Sequence, residues 1–87
     1  MKEVLDYIER NQDRYLEELK DFLRIPSIST EATHSDDVQK AADFVAEQLE
    51  KAGSDQVEVF STPGHPIVYG EYSVGADKPT VLVYGHY

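Results

Sequence analysis

The sequence predicts a mixed α/β fold: two N-terminal amphipathic helices, then a strand hairpin, then a buried third strand, together an incomplete part of a larger α/β domain. Three observations predict it. Apolar residues recur at helical spacing as far as Ala52, and after Gly53 the period shortens to the alternation of strands. Near the other end, Val81-Leu82-Val83-Tyr84 alternates Val81 and Val83 to one sheet face and Leu82 and Tyr84 to the other. Both faces are apolar, so both require cover, as in a strand sandwiched between layers.

The first helix is expected from Lys2 to Leu23, with Leu5, Ile8, Tyr15, Leu19 and Leu23 on one stripe and Val4, Leu16 and Phe22 widening it. Asn11-Gln12-Asp13 interrupts that stripe and leaves open a division into two shorter helices. Pro26 ends the run, because the ring pushes Ile25 out of helical geometry. Residues 26–35 are rich in Ser and Thr and read as a surface loop that delivers Ser35 as the N-cap of the next helix. Asp36 and Asp37 occupy its first turn, Lys51 its last and Gly53 the position just beyond, the order that a helix dipole and a glycine stop favour. Val38, Ala41, Ala42, Val45, Leu49 and Ala52 form its apolar face.

Val57, Val59 and Phe60 mark a short strand, Ser61-Thr62-Pro63-Gly64 a turn, and Ile67 to Tyr72 a second strand paired to the first. A loop holding Gly75, Asp77 and Pro79 leads to the third strand, Thr80 to Tyr84. Two helices are scant cover for a sheet apolar on both sides. Residues 1–87 therefore read as a single incomplete domain, cut off inside a larger one, with an uncovered strand that is an aggregation hazard in isolation.

A chain of 87 residues with no cysteine excludes a disulfide framework and a thiolate metal site within these residues. Any metal must be held by His, Asp or Glu. Seventeen acidic against eight basic residues, a formal charge of −9, repel phosphate backbones and anionic lipid, so neither nucleic acid nor membrane is expected as a partner. The start, Met1-Lys2-Glu3-Val4-Leu5-Asp6, resembles no signal peptide, and no apolar run reaches the roughly 18 residues of a membrane span. A soluble, cytoplasmic protein is expected.

In open α/β sheets, reactive side chains gather beyond the carboxyl ends of strands. His86 stands there, behind Gly85, and a neutral imidazole is a suitable Zn²⁺ ligand. A single histidine is not a site, and from the residues alone the plainer reading of His86 as a solvent-exposed or packing residue takes precedence.

The stretch Val81-Leu82-Val83-Tyr84-Gly85-His86-Tyr87 resembles the first metal-binding motif, Gly-His-x-Asp, of the co-catalytic zinc metallopeptidases of family M-twenty. Two further stretches resemble the start of that family in order and spacing: Phe22-Leu23-Arg24-Ile25-Pro26-Ser27-Ile28-Ser29, and the helix ending Glu47-Gln48-Leu49-Glu50-Lys51-Ala52-Gly53. The likeness covers the whole chain, and its Tyr-Gly-His-Tyr ending is closest to the dipeptidase branch, rather than to the acetylornithine deacetylase or succinyl-diaminopimelate desuccinylase branches.

The resemblance implies the N-terminal part of a zinc-hydrolase α/β domain, with His86 a ligand of one of two zinc ions. In the complete enzyme a carboxylate and a water would bridge the ions, and the activated water would attack a peptide or amide carbonyl. A Glu would act as general base and pass the proton on to the leaving amine. The substrate would be a dipeptide or an acylated amino acid, and a domain absent here could form a homodimer. The motif's Asp, the imidazole's orienting partner, would follow Tyr87, and the bridging Asp, the general base and the remaining ligands would lie further on. None is among these residues, so the 87 residues alone are expected to be inactive and to bind zinc weakly.

Other candidates read more simply. His65, in Gly64-His65-Pro66, is expected to be a turn residue, and His34 sits beside the helix cap. Asp36 and Asp37 are first-turn acids before they are a catalytic pair, and Arg24 is as readily a surface charge. Ser27 and Ser29 lack the Gly-x-Ser-x-Gly setting of a nucleophile. The alternative function class is a non-catalytic protein-interaction module, against which the doubly apolar third strand weighs.

Overall fold

A computed structural model describes all residues, 1–87. In chain order it holds α1 (Lys2–Arg10), α2 (Gln12–Leu23), a short 3₁₀ turn (Ala32–His34), α3 (Ser35–Lys51), β1 (Gln56–Phe60) and β2 (Ile67–Glu71).

The first helical region is divided at Asn11, the break that the polar interruption left open. Asn11 sits at φ −109°, ψ 12°, outside helical geometry, and its side-chain Nδ2 donates to the Tyr7 carbonyl at 2.8 Å. Asparagine competes in this way for backbone groups that a helix would use. The backbone ladder nearly survives the kink: the Asn11 N–H reaches both Tyr7 O and Ile8 O at 3.2 Å, and Tyr15 N–H reaches Asn11 O at 3.0 Å. Arg14 spans the break by donating to the Tyr7 hydroxyl at 3.2 Å. No residue of α1 or α2 is fully buried. The Phe22 and Phe44 rings stack 5.4 Å apart and fasten α2 to α3, a pairing that contributes about 0.5–1.5 kcal/mol beyond its area. Ion pairs such as Arg24–Asp21 at 2.6 Å lie exposed, where each contributes about 0.5 kcal/mol.

The α3 start corrects the expected cap. Ser35 is already helical, at φ −61°, ψ −36°, and its predecessor His34 takes the cap position without a side-chain bond to the helix backbone. The 3₁₀ turn feeds the chain directly into the helix, so no serine side chain is required to close it. The other end follows expectation: α3 stops at Lys51, and Gly53 turns the chain at φ +98°, a left-handed conformation that glycine adopts without penalty.

The two strands pair antiparallel, with Val57 opposite Gly70 and Val59 opposite Val68. Alternation points these residues toward α3 and leaves Phe60, Ile67 and Tyr69 on the far, open face. The helix seats on the hairpin at Gly70, where a Cβ would stand only 2.9 Å from Leu49 Cδ1. The fully buried core consists of Val38, Ala41 and Ala42, all on α3.

The expected third strand is not formed, which corrects the buried assignment of Thr80 to Tyr84. No strand element follows β2, and Val81, Leu82, Val83 and Tyr84 are 83, 87, 87 and 81% exposed. A strand is stabilised by a ladder and by cover on its faces, and this segment finds neither against a two-stranded sheet. The radius of gyration, 15.3 Å, exceeds the roughly 12 Å of a closed domain of this length.

Candidate metal centre

The candidate site assembles where three loops meet: the segment after α2, the turn between β1 and β2, and the last residues of the chain. Pro26 stops α2 and leaves a chain of tight local bonds, with Ser27 N–H on Ile25 O and Ile28 N–H on Pro26 O, both at 2.8 Å. This brings the Ser29 carbonyl toward the sheet. The β1–β2 turn is shaped internally by Thr62, whose hydroxyl accepts from Gly64 N–H at 3.0 Å and donates to the His65 carbonyl at 2.7 Å. The His65 ring then reaches across the molecule, its Nε2 lying 2.8 Å from the Ser29 carbonyl. A carbonyl can only accept, so Nε2 carries the proton and donates.

The last segment comes to the same place. The Tyr87 hydroxyl donates to the Pro66 carbonyl. Desolvation raises the Tyr87 pKa above its ordinary value, which keeps the phenol protonated and able to donate. His65, His86, Ser29 and Tyr87 thus line one open groove of about 410 Å³, floored by Val38 of α3 and Val68 of β2.

His86 is exposed, with its ring edge-on to Tyr84 at 5.3 Å and its Nε2 3.5 Å from the Tyr84 hydroxyl, the outer limit of a hydrogen bond. An imidazole so lightly engaged fits one position around a metal ion. It does not make a complete site, since no three His, Asp or Glu side chains are arranged to hold a metal ion. Gly85 is not confined here: nothing lies within 4 Å of a Cβ placed on it, and its backbone is not left-handed.

The remaining candidates resolve into local structure. His34 Nδ1 lies 2.9 Å from Asp37 Oδ2, and Lys40 Nζ lies 3.6 Å from the same carboxylate. The hydrogen bond from His34, aided by Lys40, holds the Asp37 pKa below its ordinary value against a partial desolvation. Asp37 therefore serves the start of α3, and Asp36 beside it is exposed. Arg24 pairs with Asp21. Neither Ser27 nor Ser29 has a side chain bonded to a histidine, because His65 takes the Ser29 backbone carbonyl instead. His65 is the residue that sequence reasoning underrated: its partner stands 36 positions away, beyond the reach of any local pattern.

The arrangement is that of a mixed α/β segment presenting one free imidazole beside a groove. No protein-family model matches the chain. It is 29% identical over 96 aligned positions, spanning all of this chain, to the Cys-Gly metallodipeptidase dug1 of Schizosaccharomyces pombe. It is 27% identical over 99 positions, again spanning all of the chain, to the Cys-Gly metallodipeptidase DUG1 of Candida albicans, and 27% identical over 97% of the chain to that of Saccharomyces cerevisiae. The chain spans about a fifth of the length of each of these relatives, 20%. No solved structure matches.

Proposed function

We propose that these residues open the catalytic domain of a zinc-dependent metallodipeptidase, to which they contribute His86 as one metal ligand. The observation that carries this reading is the end-to-end similarity to Cys-Gly metallodipeptidases. An exposed imidazole, a suitable zinc ligand, beside the groove supports it chemically. Zinc, rather than another divalent ion, follows from the resemblance of Gly85-His86 to the M-twenty motif and from imidazole's suitability for that ion.

The chemistry supplied by bound zinc is activation of water toward the scissile carbonyl, with water's pKa lowered from about 15.7 to about 7. The residues of this chain position and hold. His86 offers a neutral ring nitrogen, and the groove beside it, lined by Ser29, His65 and Tyr87, gives the substrate side an open approach. By the same resemblance the base and the remaining ligands would lie outside residues 1–87, and these residues alone are expected to hydrolyse nothing. Cys-Gly, named for the relatives, is the first substrate to test among dipeptides.

The test uses the full-length protein. Dialysis against a chelator should abolish Cys-Gly hydrolysis and zinc should restore it; hydrolysis that persists in the metal-free protein would sink the proposal. The interaction-module reading is disfavoured by the same similarity and would be revived by a full-length protein that binds no metal and cleaves no dipeptide.

A further inference from the structure

We infer that His65 and Tyr87 are positioning residues for His86, holding the Gly85-His86 tip at the groove through the Ser29 and Pro66 carbonyls. The inference rests on the reading of His86 as a metal ligand. Its basis is a continuous string of contacts. Ser29 O accepts from His65 Nε2 at 2.8 Å, His65 is covalently joined to Pro66, and Pro66 O accepts from the hydroxyl of Tyr87, the neighbour of His86.

The other contact on that tip, from Tyr84 to the His86 ring, comes from the same exposed segment and does not tie it to the rest of the molecule. Every residue from Glu71 to His86 is exposed, and Tyr87 alone at this end is partly buried. The segment has no strand ladder after β2 that could set the position of His86 from behind. His65 is likewise not needed to shape its own turn, because Thr62 already bonds the Gly64 N–H and the His65 carbonyl. Its ring serves the longer connection, tying the turn to the loop after α2. Metal ligands gain affinity from partners that restrict their orientation, and loss of one such partner typically weakens metal binding about 10 to 100-fold.

The experiment measures Zn²⁺ affinity of the full-length protein by competition with a chromophoric chelator, alongside the thermal midpoint of each metal-free form. Tyr87→Phe, which removes a single oxygen, and His65→Ala should each weaken zinc binding about tenfold while leaving the metal-free midpoint unchanged. His65→Gln keeps a side-chain donor and should recover most of the loss. Combining Tyr87→Phe with His65→Ala should weaken binding little beyond the larger single effect, because both cut one string. Wild-type affinity in Tyr87→Phe and His65→Ala, with binding lost in His86→Ala, would overturn the positioning role and leave the ligand reading standing. Wild-type affinity in His86→Ala would remove the ligand reading and the positioning role with it. A metal-free midpoint that falls together with affinity would reduce both residues to fold stabilisers. Should His65→Ala fail to fold, Tyr87→Phe alone carries the decision.

Discussion

Asp37 is the carboxylate whose charge the fold uses most clearly. Its pKa is lowered from the usual 3.8 by the His34 hydrogen bond and by Lys40. A group whose folded pKa lies below its unfolded value stabilises the fold at every pH above the unfolded value, and that contribution is lost as pH falls through the folded one. Asp37→Asn should therefore be less stable than wild type near neutrality, and the gap should close below about pH 3.8. Chemical denaturation of both proteins across pH checks this, and a gap that widens in acid would contradict it. At the same scale, the sequence singles out His86 by local signals, a preceding glycine and an apolar run expected to be a strand, and that strand does not form. His65 is not singled out, because its hydrogen bond to Ser29 O joins loops whose proximity depends on how the hairpin packs on α3.

Among the elements, α1 and α2 show what one polar residue can do to a helix. Asn11→Ala would delete the Nδ2 bond to Tyr7 O and replace a poor helix former with the best one. The expected outcome is one continuous helix and greater ellipticity at 222 nm; unchanged ellipticity would place the cause of the break elsewhere. The seat of α3 on β2 is equally open to test, since Gly70 leaves no room for a side chain beneath Leu49. Gly70→Ala should cost about 1 kcal/mol through overpacking. Part of that cost should disappear when Leu49→Ala is combined with it, the non-additivity expected of residues in contact. Strictly additive losses in denaturant titrations would show that the two do not meet. The hairpin and the end of α3 were legible because alternation and a glycine stop are written locally. The third strand was misread because apolar alternation tells which faces need cover, whereas a ladder needs a partner edge. Val81 to Tyr84 found none beside β1 and β2. Ser35 failed as a cap for a related reason: the 3₁₀ turn before it carries the chain into α3 without one.

For the whole molecule, three buried residues in 87 leave most of the apolar surface open. Leu5 and Ile8 of α1, the groove of about 360 Å³ between α2 and α3, the far face of the hairpin and the run Val81 to Tyr84 all lack cover. Residues 1–87 expressed alone should bind a hydrophobic dye and melt over a broad range. A monomer with one sharp unfolding transition would mean that these faces need no further protein. No helix is long and apolar enough to cross a membrane. The proposed chemistry of residues 1–87 is concentrated at one imidazole, that of His86. The most direct test is the zinc content of full-length His86→Ala beside that of wild type, measured with Cys-Gly hydrolysis on the same samples. We expect the variant to lose at least one zinc ion per chain and nearly all activity. Wild-type zinc content with full activity would contradict the assignment of His86 as a metal ligand.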